Sequence, residues 1–225
     1  MSVYLLNLSA KLDAIGGLSS FTSSSVSLWK KICDSMDNSS TLWIFVANRD
    51  DDGLGSTAMR VGQQIQNETE LSLRDIITVH TQTGNDGYLK GIYEEILLFV
   101  KDTSDYSFDK DSIRVKPVYK GNEWNGHRSK GKSAYRGQQT KRYNPEGKDP
   151  GNVWLNEIRT ETDSRVLDRT EPIPRGEAIR RCVRVGVDNN SLVYTLWADK
   201  QWSDVIESEG ATEKKLDNQI EVDNE

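Results

Sequence analysis

The sequence predicts an α/β fold in a single domain spanning 1–225, on three observations. First, several short runs are almost continuously apolar and rich in β-branched or aromatic residues: VYLLNL, TLWIFVAN, LRDIITVHTQ, EEILLFVKD and SLVYTLWAD. Runs of that kind suit strands buried on both faces. Second, segments with helical spacing lie between them, and that alternation predicts a sheet flanked by helices. Third, 225 residues with 8 % aromatics, six of them Trp, suffice for one packed core despite a mean hydropathy of -0.67.

Taken in order, residues 3–8 (VYLLNL) form a first strand, and GGLSSFTSSSV reads as a Ser/Gly-rich loop. From Val26 to Met36 the pairs Leu28/Ile32 and Trp29/Cys33 recur at helical spacing, up to the turn DNSS. TLWIFVAN is a central strand, NRDDDGLGS a loop, and Thr57 to Gln66 a helix. LRDIITVHTQ and EEILLFVKD add two strands. Between about Asp102 and Asp149 periodicity fades and Gly, Asn, Ser, Lys and Arg dominate, as in an inserted loop region. VWLNEIR then reads as a strand. IPRGEAIRRCVRVG reads as a helix with Ile179, Cys182 and Val183 on one face and Gly186 as its C-cap. SLVYTLWAD is a strand, a helix is expected near Ser203–Leu216, and NQIEVD is a last short strand.

Composition narrows the function. No apolar run approaches the roughly 20 residues needed to cross a membrane, and the N-terminus lacks the basic start of a signal peptide. Cys33 and Cys182 are too few and too far apart for a disulfide framework or a zinc site, so a reduced, intracellular protein is expected, cytoplasmic or nuclear. His80, in a strand, and His127, in the basic loop, have no cysteine beside them for a metal site or a nucleophile pair. Asp50, Asp51 and Asp52 precede Gly53 and read as turn formers rather than cation ligands. The net charge of -6 hides an asymmetry: 110–148 holds eleven Lys/Arg against three Asp/Glu, +8 on a body of -14. Such a split marks a surface for a polyanion or a solvated basic loop. Within it Lys116, Lys120, Arg128, Lys130, Lys132, Arg136, Lys141 and Arg142 alternate with Trp124 and Tyr135, suited to phosphate contact and to stacking on bases.

In their order these segments resemble the beta class of DNA amino-methyltransferases, which modify cytosine N4 or adenine N6. SLWKKICDSMDNSSTLWIFVANRDDDG is similar to the family's helix, turn and strand after its catalytic loop. YEEILLFVKDTSDYSFDKDSIR is similar to its "HEyilvFvKs…yyFd…irv" passage. GKDPGNVWLNEI resembles "GrnPgdVWei", and IPRGEAIRRCVRVG the "fP.eLverci.ag" helix. The resemblance implies a Rossmann-like methyltransferase fold with a mixed, mostly parallel sheet, DNA as partner, 110–148 as target-recognition region, and pairing with itself or with an active methyltransferase, as in restriction-modification.

Two motifs depart from the family. Its Asp/Ser/Asn-Pro-Pro-Tyr/Phe loop holds the amine of a flipped base and stacks on its ring. Here the first strand runs into Asn7-Leu8-Ser9-Ala10, and the five prolines, Pro117, Pro145, Pro150, Pro172 and Pro174, are nowhere adjacent. Its "DPFaGSGTT" turn at the S-adenosylmethionine site corresponds to LVYTLWADKQW, with Trp197 to Lys200 in place of small residues. The acid that would hold the cofactor's ribose matches Glu221. The resulting expectation is a non-catalytic DNA-binding subunit without a bound cofactor. The alternatives are a divergent S-adenosylmethionine-dependent methyltransferase, or a regulatory interaction domain that does not touch nucleic acid.

Overall fold

A computed structural model describes residues 2–47, 56–81, 93–115, 146–158, 169–186 and 191–216. Nine strands lie among them: β1 (Ser2–Asn7), β2 (Thr41–Ala47), β3 (Ser72–His80), β4 (Tyr93–Val100), β5 (Val153–Trp154), β6 (Asn156–Ile158), β7 (Arg169–Glu171), β8 (Leu192–Leu196) and β9 (Thr212–Lys215). Seven of these form one sheet in the order β5-β3-β4-β2-β1-β8-β9. The pairs β1–β2, β1–β8, β8–β9 and β3–β5 are parallel; only β4 runs against its neighbours. The mixed, mostly parallel α/β sheet is the expected one, and all five apolar runs lie in it.

Alternation within each strand feeds two cores, one per face. Val3, Leu5, Trp43, Phe45, Ile96 and Leu98 point to the face covered by α5 (Arg175–Gly186) and α6 (Lys200–Ser208). Tyr4, Leu6, Leu42, Ile44, Leu97 and Phe99 point to the opposite face, covered by α1 (Leu8–Ile15), α2 (Leu18–Ser24), α3 (Val26–Ser35) and α4 (Thr57–Glu68). Since β1, β2 and β4 are buried on both faces almost throughout, their sequences show runs of apolar residues instead of alternation.

Five local expectations are corrected. The Ser/Gly-rich stretch after β1 is helical, not a loop. Leu18 and Phe21 bury on one face of α2, and the Thr22 and Ser24 hydroxyls donate to the carbonyls of Leu18 and Phe21 at 2.8 and 3.2 Å, following the helix rather than competing with it. α1, not foreseen, starts directly at the end of β1 with Asn7 as its cap. The helix expected at Ser203–Leu216 is α6, which stops at Ser208. Gly210 takes a φ of 74° and its N–H reaches the Glu207 carbonyl, after which the chain enters β9. VWLNEIR is split at Leu155 between β5, in the main sheet, and β6, which pairs with β7 in a separate ribbon. Gly186 is the last residue of α5 rather than a left-handed cap. It is glycine because a Cβ would stand 2.6 Å from Val3 Cγ2 and 3.1 Å from Thr41 Oγ1. The loop at NRDDDGLGS falls almost wholly, and the strand at NQIEVD wholly, outside the described residues.

Candidate functional site

In an open α/β sheet the carboxyl ends of the parallel strands form the crevice where ligands bind. Here that edge holds a buried polar cluster drawn from five elements. β1 ends at Asn7, only 2 % exposed, whose Oδ1 accepts from Ala10 N at 3.3 Å and from Arg175 Nη2 at 2.8 Å. Ser9, in the first turn of α1, accepts from Ala47 N at 2.8 Å. It shares its hydroxyl hydrogen between Glu94 Oε1 at 3.0 Å and the Phe45 carbonyl at 3.3 Å. Because β4 is antiparallel, its first residues fall at this same edge, and Glu94 is buried there. Arg175, the first residue of α5, donates to Glu94 Oε1 at 3.1 Å and lies 5.7 Å above the ring of Trp202.

The cluster's hydrogen bonds are not all closed. Arg175 Nε and Trp202 Nε1 are buried without a partner. An orphaned donor of this kind is an unmet demand for an acceptor. Asn7, by contrast, is saturated: a carbonyl-type oxygen has two lone pairs, and two N–H groups occupy them.

The end of β8 is shaped differently from a glycine turn. Trp197 has a φ of 58°, the one positive value at a non-glycine residue among the described residues. Its indole packs edge-on against Phe21 at 5.8 Å, and that contact holds a conformation costing about 1–3 kcal/mol. Asp199 caps α6, accepting from Gln201 N at 2.8 Å and Trp202 N at 3.4 Å, so the helix's own carboxylate occupies its positive end.

Asn7 is thus brought into a polar cluster together with Ser9, Glu94, Arg175 and Trp202, which sequence reasoning did not single out. Their only signal was position: each sits near a strand end or a helix start. Lys116, Lys120, Trp124, Arg128, Lys130, Lys132, Tyr135, Arg136, Lys141, Arg142 and Glu221 lie outside the described residues. The base of the basic segment is described, and Val115 and Lys148 close it through N–H to carbonyl bonds of 2.9 and 2.8 Å. His80 ends β3, and among the described residues no group of three or more His, Cys, Asp or Glu is placed to hold a metal. No helix among them is long and apolar enough to cross a membrane.

Residues 6–194 match the DNA methylase family that modifies N6 and N4 positions. Among solved structures, PvuII DNA methyltransferase, cytosine-N4-specific, is similar at a TM-score of 0.60 and 11 % identity, covering 96 % of this chain and 74 % of that one. A protein of Thermus thermophilus, assigned provisionally as a DNA modification methylase, is similar at 0.55 and 13 %, covering 95 % and 78 %. No curated protein sequence matches. The expectation of no cofactor is overturned here. The same Thermus protein is also known complexed with S-adenosyl-L-methionine, in a structure similar to this chain at a TM-score of 0.54. That expectation rested on one replaced turn, whereas a crevice at a sheet's edge is built by several strand ends together.

Proposed function

The chain belongs to the DNA methylase family, and on that premise we propose that it acts as a non-catalytic, DNA-binding subunit. It would keep the sheet edge as a site for S-adenosylmethionine and bind DNA through 110–148. The observation that carries this reading is the state of Asn7. The residue stands where the family's amine-accepting loop begins, yet no Pro-Pro-aromatic follows it, and its oxygen is filled by Ala10 and Arg175. A methyl-transfer site needs that oxygen open and an aromatic face over the flipped base.

The cofactor fits this edge through a different set of donors. Arg175 Nε and Trp202 Nε1 are buried and unpaired, and a carboxylate is the acceptor a guanidinium fork takes best. With Asp199 capping α6, that recognition falls to the α5 side of the crevice rather than to a glycine turn. When bound, S-adenosylmethionine carries an activated methyl group; the residues of this chain hold and orient it without an amine acceptor beside it.

The second reading, a divergent methyltransferase, is favoured by the position of Asn7 itself at the end of β1. Two measurements separate the readings. Calorimetric titration with S-adenosylmethionine should show binding that Arg175→Ala weakens about tenfold. Incubation with duplex DNA and labelled cofactor should leave the DNA unlabelled, both for the native chain and for Arg175→Ala. Label on the DNA in either case makes the chain an enzyme. Label only with Arg175→Ala would make Arg175 the group that blocks it.

A further inference from the structure

A polar cavity lies beside β5, the strand at one margin of the sheet. It measures about 280 Å³, too small for a cofactor the size of a nucleoside conjugate. Val115, Pro150 and Leu155 form its apolar walls, and Lys148, Asn156 and Arg181 its polar lining. No acid lines it among the described residues.

Arg181 is the unusual member. A charged side chain is rarely this buried: only 6 % of it is exposed. Its guanidinium lies 5.4 Å over the Trp154 ring, and its Nε donates to Glu177 Oε1 at 3.2 Å. Its Nη1 is buried with no hydrogen-bond partner. Glu177 does not serve it alone, since the same carboxylate accepts from Arg180 at 2.8 Å. Arg180 and Arg184 both turn to Glu209, at 2.9 and 2.7 Å. Among the described residues the guanidinium groups of Arg180, Arg181 and Arg184 therefore share two carboxylates, which leaves a positive surplus there. Lys148 adds a second cation to the lining, at the point where the bridge to Val115 closes the base of the basic segment.

We infer that this cavity is a binding site for a phosphate group. A planar guanidinium with a spare N–H matches the oxygens of a phosphate, and an ammonium adds a point charge. The surplus of charge calls for an anion. The stacking of Arg181 on Trp154 fixes its plane in advance, so little order is lost on binding. Asn156, whose amide nitrogen donates to the Pro172 carbonyl at 3.3 Å, adds a further polar group to the lining. The phosphate comes either from a nucleic-acid backbone held at the base of the 110–148 segment or from a free phosphate. The first source rests on the DNA-binding reading above; the second does not.

The test is calorimetric titration of the full chain with inorganic phosphate, alongside the salt dependence of binding to a short DNA duplex. Inorganic phosphate should bind with a dissociation constant near 1 mM or below, on the order of a weak single-ion site. Lys148→Gln and Arg181→Gln should each weaken it about tenfold, Arg181→Lys less, and Lys214→Gln, on β9, not at all. Lys148 is exposed, so its variant retains the fold even if Arg181→Gln does not. A duplex salt slope lowered by about 0.9 in Lys148→Gln assigns the phosphate to DNA. An unchanged slope beside lost phosphate binding assigns it to a free phosphate. Phosphate binding that neither variant alters, or its absence together with unchanged slopes, overturns the site. A chain that binds no duplex at all removes the DNA-binding reading, while the phosphate titration still decides the cavity.

Discussion

Gly186 shows how one residue sets the contact between a helix and the sheet. Its missing Cβ lets the last turn of α5 lie on β1 and β2, against Val3 and Thr41. Gly186→Ala should cost about 1–3 kcal/mol, because the added carbon meets a packed methyl rather than open space. A lowered urea midpoint at unchanged slope would record it. The two cysteines make a different prediction. Burial pushes the Cys182 thiol well above its ordinary range, against a smaller opposing effect of Arg181, and burial likewise raises Cys33. A raised thiol pKa means the folded chain keeps protons that the unfolded chain loses. This contribution is intact below the unfolded thiol's range and declines as pH rises past about 9. Cys182 should remove up to about 1.4 kcal/mol per pH unit there, and Cys33 less. Urea unfolding at pH values of about 7, 9 and 10 would show it, and Cys182→Ala should flatten the decline.

At the scale of elements, α2 and α6 are held in opposite ways. α2 is short and rich in Ser and Thr, so its helicity comes from outside it. Phe21 packs edge-on against Trp29 at 5.7 Å and against Trp197 at 5.8 Å. Gln64 of α4 donates to the Thr22 carbonyl at 2.6 Å while accepting from Ser25 and Trp29. Phe21→Ala should cost about 3–5 kcal/mol and take with it the support of Trp197 at the edge of the site; thermal unfolding would measure the loss. α6 carries its own start signal in Asp199. Asp199→Ala leaves the Gln201 and Trp202 N–H groups without their cap and should cost about 1 kcal/mol. The same variant clears the carboxylate from the helix's positive end, so it should strengthen binding of an anionic group at the crevice. Unchanged or weaker S-adenosylmethionine binding in Asp199→Ala would count against that electrostatic account.

Across the whole molecule the governing feature is charge separation: +8 over 110–148 on a body of -14. A body this acidic repels a polyanion on average, so the DNA-binding reading puts most of the affinity in that segment. Replacing Lys130, Lys132 and Arg136 together with Ala should lower the salt slope of DNA binding by about three if all three meet phosphate. Lys214→Ala with Lys215→Ala should leave it unchanged, since Glu213 and Asp217 flank that pair in the sequence. Equal losses in the two sets would reduce the interaction to general charge attraction.

The sequence by itself determined the five inner strands of the sheet. Its five apolar runs are all strands: β1, β2 and β4 are buried on both faces and therefore apolar almost along their length, and no partner is needed to read that. The order of those runs carried the family, and the missing Pro-Pro pair is likewise a fact of the chain alone. What the tertiary structure decided is everything that joins distant positions. Asn7 and Arg175 are 168 residues apart in sequence yet bonded at 2.8 Å, and nothing local to either announces the other. α2 was illegible because Ser and Thr are weak helix formers, and only burial of Phe21 between two indoles makes the helix favourable. Gly186 read as a helix stop, since spacing alone cannot show that a neighbouring strand lies 2.6 Å from where its Cβ would be. The cofactor expectation failed for the same reason: a binding crevice belongs to several strand ends at once, and a single replaced turn does not report on the rest.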